Sequence, residues 1–202
     1  MKLKLSLIVL IFNYFFTIGQ NNQDVSNSIF IFTRSTDMKV SYIAHDFNTS
    51  DTLSTHVGIG FKINNEYQIF NVSNDIKSSS KALRSESLET FLKVQGIKYH
   101  SVWEYEIPSD TKDKFIKVLS EYDNRQITFD YDFEIKNDSK LYCSEFVFLV
   151  LKKLHLTRSY KGKKKELNNF YRNLLKRNTL EYIPVDFFLD LHYFKLIENK
   201  FY

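Results

Sequence analysis

The chain has 202 residues, a formal net charge of +4, one cysteine and two prolines, and 16% of its residues are aromatic. So small a positive excess argues against nucleic-acid binding. Scarce proline with abundant aromatics argues against disorder, and a lone cysteine forbids an internal disulfide.

The opening "MKLKLSLIVLIFNYFFTIGQNNQ" places Lys2 and Lys4 before an apolar run from Leu5 to Phe16, followed by Thr17-Ile18-Gly19 with small residues at the two positions a signal peptidase reads. This is the pattern of a secretory signal, residues 1–19, cut near Gly19. The run is shorter than the roughly 20 residues that span hydrocarbon, so a retained anchor is not expected. No cysteine near the cut could accept a lipid. The expected mature chain is exported to a periplasm or the cell exterior, has no membrane span and, without Lys2 and Lys4, carries +2. One domain is expected over residues 25–202.

"SIFIFTR" (28–34) predicts a core strand, and residues 35–55 a loop with a short helix. "THVGIGFKI" (55–63) and "EYQIFNVS" (66–73) predict two strands joined by Asn64-Asn65, residues that tolerate the positive φ of a tight hairpin. "SESLETFLKVQG" (85–96) spaces Leu88, Phe91 and Leu92 as a helix ending at Gly96, and "YHSVWEYEI" (99–107) alternates as a strand. "SDTKDKFIKVLSEYD" (109–123) predicts a helix capped by Ser109 or Asp110 with Phe115, Val118, Leu119 and Tyr122 on one stripe. "ITFDYDFEI" follows, then "KLYCSEFVFLVLKKL" (140–154), a basic loop "KGKKK" (161–165), a helix around "ELNNFYRNLLKR", and "EYIPVDFFLDLHYFKLI". The mixture predicts an α+β fold.

From Phe146 to Leu151 the cysteine segment is apolar on every side, which predicts a central buried helix with Asp138 or Ser139 near its start. Cys143 falls in the first turn, where unsatisfied N–H groups and the helix dipole favour a thiolate. Cysteine also fills core space without chemistry, so the segment alone leaves nucleophile and inert filler both open. A nucleophile needs a base, and the histidines are His45, His56, His100, His155 and His192.

In "HVGIG", His56, Gly58 and Gly60 share one face of the strand, so the imidazole projects from a face without other side chains, open to close approach by a helix backbone. A two-residue turn at Asn64-Asn65 pairs Ile63 with Glu66, Gly58 with Asn71 and His56 with Ser73. Asn71 and Ser73 then lie on the His56 face. Asn71, opposite Gly58, has room to reach the ring and fix its tautomer.

"STHVGIGF", a second strand at "IFNVS", and then far downstream "FDYDFEIKNDSKLYCSEFVFLVLKKL" resemble the circularly permuted papain-fold group of the NlpC/P60 superfamily, the YiiX/YebB-like cysteine hydrolases, in which the histidine strand precedes the cysteine helix. The likeness runs from about Ser28 to Pro184 and includes "IPVDFF". It implies a permuted papain-like fold, an antiparallel sheet packed on the buried cysteine helix. It further implies Cys143 as nucleophile and His56 as general base. Asn71 stands where relatives carry an acidic orienting residue, and Cys-His-Asn sets are workable in papain-like enzymes. Glu145 matches "CSE" as a helix-start or substrate-polarity residue, and Tyr142 is an oxyanion candidate through adjacency to the Cys143 N–H.

The resemblance thus implies an exported hydrolase or amidase acting on a peptide or acylated small substrate, with cell-wall peptide as one candidate. A lipid ester or thioester hydrolase, an acyltransferase, and a non-catalytic wall- or lipid-binding module remain alternatives. No cofactor or metal is expected. Cys143 with histidines lacks paired zinc-ligand spacing, and Asp130, Asp132 and Glu134 lack the glycine of an EF-hand loop and suit solvated or capping roles.

Overall fold

The computed structural model describes residues 24–37, 41–74, 81–135, 139–158 and 160–202. The expected signal, Asp138 and most of "SSSK" lie outside these residues. The frame is a six-stranded antiparallel sheet whose strands, from one edge to the other, are residues 195–201, 97–106, 28–36, 56–63, 66–72 and 83–86. Its strands are β1 (Ser28–Thr36), β2 (His56–Ile63), β3 (Glu66–Val72), β4 (Leu83–Glu86), β5 (Ile97–Glu106) and β10 (Lys195–Phe201). This is the expected α+β architecture.

The β2–β3 hairpin follows from two asparagines. Asn64 and Asn65 hold φ of 50° and 68°, the left-handed values a two-residue turn needs. Ile63 therefore pairs with Glu66 and Ile59 with Phe70. Because alternate residues point to opposite faces, that register sorts the whole sheet. Val57 and Ile59 join Ile29, Ile31, Phe70 and Val72 in the main core, while the His56 face carries Phe30, Phe32, Ile69 and Phe91 in a smaller cluster.

The cysteine segment forms α4 (Cys143–Lys153), with Phe146, Val147, Val150 and Leu151 fully buried. It packs on β2 and β3 in the main core, on the face opposite to the one the glycines were expected to offer. Gly58 and Gly60 instead make room within the hairpin. A Cβ on Gly60 would lie 2.0 Å from the Gln68 carbonyl oxygen, and one on Gly58 would lie 2.9 Å from Ile69 Cγ2.

Other elements are α1 (Ser41–Phe47), α2 (Leu88–Leu92), α3 (Ser109–Asp123), α5 (Asn169–Leu175) and a 3-10 turn (Phe187–Leu191). Helix α2 is shorter than expected because Ser85 and Glu86 belong to β4 and Ser87 is the cap, its hydroxyl accepting from Thr90 N–H. Pro108, not Ser109 or Asp110, occupies the N-cap of α3. Its missing N–H removes a donor there and its fixed φ suits helix entry. The stretch "KGKKK" is not a free loop: β8 (Lys163–Glu166) pairs with β9 (Thr179–Tyr182). A third apolar cluster, with Phe47, Leu167, Tyr171 and Tyr182, fastens that hairpin and α5 to α1. Thr128–Phe129 (β6) and Lys140–Leu141 (β7) form a short parallel pair leading into α4.

Candidate active site

His56 begins β2, and its Nε2 lies 2.9 Å from Asn71 Oδ1. Asn71, fully buried on β3, donates through Nδ2 to Glu86 Oε1 at 2.7 Å. These bonds assign the protons. A carboxylate only accepts, so Glu86 takes the Asn71 NH2 and turns its carbonyl oxygen to His56. That oxygen also only accepts, so Nε2 carries the imidazole hydrogen and Nδ1 keeps the lone pair. His56 is thereby set as a base at Nδ1.

The same sheet face holds two arginines. Arg34 stands opposite His56 on β1 and Arg84 opposite Asn71 on β4. Arg34 donates to the Phe91 carbonyl and lies 4.4 Å from the centre of its ring, and the imidazole stacks at 5.7 Å from the same ring. Burial first, then the Arg34 charge, and to a lesser degree Arg84, push the His56 pKa down to about 3, against the opposing pull of the Asn71 hydrogen bond. His56 is neutral at rest.

Cys143 is the first residue of α4, after Tyr142 in extended N-cap conformation at φ −106° and ψ 170°. This is the position where a helix dipole favours a thiolate, and the sequence led us to expect one. The structure corrects that expectation. Burial pushes the thiol pKa up, outweighing the lowering effects of the Val57 and Ser144 N–H groups, the Arg34 charge and the residue's own N–H. Desolvation opposes the charged form more than these donors favour it. The resting pair is thiol and imidazole.

Helix α4 approaches from the main-core face, and its first residue meets the end of β2 near the Val57 N–H. There Cys143, His56, Asn71, Ser73 and Tyr142 all line one cavity of about 930 Å³, within the range of ligand-binding clefts. None of the other four histidines lines it; His100 is taken up by Glu198 and Tyr202 near the β10 edge.

The remaining candidates have other positions. The Tyr142 hydroxyl accepts from Ile183 N–H at 2.7 Å, and the Ser144 hydroxyl donates to the Ile183 carbonyl at 2.7 Å. The two hydroxyls clamp the start of α4 to the segment after β9; in that bond the Tyr142 oxygen accepts, so its O–H still has a hydrogen to donate, and the residue lines the cavity. Glu145 is buried at 1% exposure and does not line the cavity, which removes it from substrate contact. Ser73 is at the cavity wall, its N–H bonded to the Ala82 carbonyl at 3.0 Å.

Asp130 is buried and accepts from the N–H groups of Asp132 at 2.9 Å and Glu134 at 2.8 Å, a local cap that ends β6. Among the described residues no three His, Cys, Asp or Glu side chains gather as a metal-ligand set. Arg34, Arg84 and Glu86 escaped the sequence reading. Strand alternation places Arg34 and Arg84 on the His56 face once β1 and β4 are in register, whereas the helical pattern of residues 85–96 conceals that Glu86 ends a strand.

A family model described as "Permuted papain-like amidase enzyme, YaeF/YiiX, C92 family" matches residues 29–178. Among solved structures, the chain is similar to one described as metalloprotein yiiX from Escherichia coli O157:H7, with a TM-score of 0.60 at 14% identity, covering 88% of this chain and 99% of that one. At that identity the likeness speaks for the fold alone. No curated protein sequence matches the chain. The chain belongs to the permuted papain-like amidase family, and with it to the papain-like cysteine hydrolases.

Proposed function

We propose that this member of the permuted papain-like amidases is an exported enzyme that hydrolyses an amide through a Cys143 thioester, with His56 as base and acid and Asn71 orienting it. The observation that carries the reading is the Glu86–Asn71–His56 hydrogen-bond line, which leaves Nδ1 unprotonated in the cavity that the thiol also lines.

As Sγ attacks the carbonyl carbon, its proton passes to Nδ1, and the carbonyl oxygen becomes an oxyanion. The N–H groups of Val57, Ser144 and Cys143 already act on the sulfur and are the candidate donors for that charge. The imidazolium then gives its proton to the leaving nitrogen, the C–N bond breaks, and a thioester remains. A water next loses a proton to Nδ1 and attacks the thioester; the C–S bond breaks and the proton returns to sulfur. No net charge is created at the start, which suits a site where burial disfavours both ions.

Export is inferred from the leader pattern. It would bring the enzyme to cell-wall peptides, a finer reading that rests on location alone. A non-catalytic module of the same fold would have no need for the tautomer-fixing line. Among the described residues no helix is long and apolar enough to cross a membrane.

The test is hydrolysis of a panel of N-acyl p-nitroanilides by the chain without residues 1–19. Release of nitroaniline by the wild type, lost in both Cys143→Ala and His56→Ala, is expected. Turnover unaffected by Cys143→Ala would overturn the thioester route, and wild-type binding without any turnover would favour the binding module.

A further inference from the structure

The cavity is chemically two-sided, and its sides are ordered about the reacting atoms. Among the described lining residues, the His56 side carries Arg34, Arg84 and Lys93 together with Glu86, which is bonded to Asn71. Arg34 and Arg84 lie one strand to either side of the His56–Asn71 pair. On the far side of Cys143 the lining is mainly aromatic and aliphatic, with Asp132 at its rim, largely exposed and 3.8 Å from Arg177. Phe133 packs edge-on to Tyr142 at 5.5 Å and to Phe129 at 6.2 Å, and Phe47 meets Tyr171 at 5.0 Å. Leu174, half exposed, and Leu175 complete the mouth on that side.

The mechanism orients a substrate in this asymmetry. His56 must reach the leaving nitrogen to protonate it, so the amine half of the amide lies toward His56 and the arginines. The acyl half then extends past Cys143 toward Phe133 and Phe47.

Building on the amidase reading, we infer that the substrate is an N-acyl amide with an apolar acyl chain and an anionic group, a carboxylate, on its leaving amine, as in an N-acylated amino acid. Guanidinium groups match carboxylates bidentately, and an apolar chain gains about 0.8 kcal/mol for each buried CH2. A wall peptide, polar on both sides of its scissile bond, would waste the aromatic side.

The anion also has a chemical effect. Arg34 and Arg84 both oppose protonation of His56. A carboxylate bound between them would offset that field and make Nδ1 a better proton acceptor when substrate is in place. Burial, the larger cause, stays in place, so the bound anion tunes the base and does not create it.

The experiment compares four substrates with the chain without residues 1–19: N-dodecanoyl-glycine, N-dodecanoyl-glycinamide, N-acetyl-glycine, and N-dodecyl-succinamic acid, which reverses the placement of chain and charge. The expected order puts N-dodecanoyl-glycine first, with kcat/KM at least about tenfold above its neutral glycinamide, equivalent to about 1.4 kcal/mol. Arg84→Met should drive that ratio toward one, and Arg84→Lys should restore part of it. A ratio near one in the wild type, or one indifferent to Arg84→Met, overturns the anion subsite. Equal turnover of N-acetyl-glycine overturns the acyl side, and faster turnover of the succinamic acid reverses the assignment. Hydrolysis of none of the four, in protein that also leaves p-nitroanilides intact, would overturn the amidase reading itself.

Discussion

The two walls of the cavity are built by different means. The strand wall is polar: Arg34, His56, Asn71 and Arg84 share one sheet face, each placed by a ladder pairing, and a hydrogen-bond line of 2.9 and 2.7 Å runs through it to Glu86. The helix wall is apolar. Cys143 rides on a helix whose next turns are buried by Phe146, Val147 and Val150, and its start is clamped at Ile183. The base is therefore held by directional bonds to its own side chain, and the nucleophile by the packing and the hydroxyl clamp of the helix that carries it. The contrast teaches why neither is charged at rest: burial disfavours the ion on both walls, and on the strand wall the Arg34 and Arg84 charges add to it.

Removing the nucleophile is the most complete way to break the pairing of the two walls. Cys143→Ala should lower amide hydrolysis by about 10⁵-fold or more, the scale of nucleophile deletions in hydrolases, while far-UV circular dichroism stays unchanged. His56→Ala, which removes only the strand wall's proton carrier, should cost about 10² to 10⁴-fold in kcat.

Breaking the line behind the imidazole should cost less. Asn71→Ala frees the ring and should lower kcat by about 10²-fold, on the scale of a small misplacement of a reacting group. Glu86→Ala leaves the buried Asn71 amide without its acceptor and should destabilise the fold by about 1–3 kcal/mol in urea titration. Glu86→Gln, whose carbonyl can still accept, should cost less, and its imidazole 15N shifts should still report a hydrogen on Nε2.

Acid sharpens the comparison by acting mainly on the strand wall. His56 has a folded pKa of about 3 against 6.5 unfolded, so between these values the unfolded chain binds the extra proton and folding weakens as pH falls. The slope contributed by this group should approach about 1.4 kcal/mol per pH unit, and His56→Asn should remove it from a set of urea titrations at pH 3.5 to 7. Base acts on the other wall. With the thiol pKa raised, iodoacetamide should label Cys143 slowly at pH 7 and faster only above about 8.5. A reactive plateau at pH 5 would contradict the neutral pair.

The hairpin was legible because Asn64-Asn65 fixed the turn, and a turn fixes every later pairing on its two strands. Asn71 could be placed beside His56 on that ground alone. Cys143 at a helix start was legible from the apolar run behind it. What escaped depended on pairings between segments distant in sequence. Arg34 meets His56 only through β1–β2 register, and Glu86 reaches Asn71 only because residues 83–86 leave the helical pattern to form an edge strand. The helix also lay on the other face, since "HVGIG" shows that one face lacks side chains but not what fills it. Protonation was misread for a related reason: a helix dipole is a local property, whereas desolvation comes from the whole surrounding core.

The most direct test of the thioester account is intact-protein mass spectrometry after brief mixing with a p-nitrophenyl ester of dodecanoic acid. The account predicts a single dodecanoyl adduct located at Cys143, formed slowly in His56→Ala and absent from Cys143→Ala. An adduct elsewhere, or one formed equally in Cys143→Ala, would contradict it.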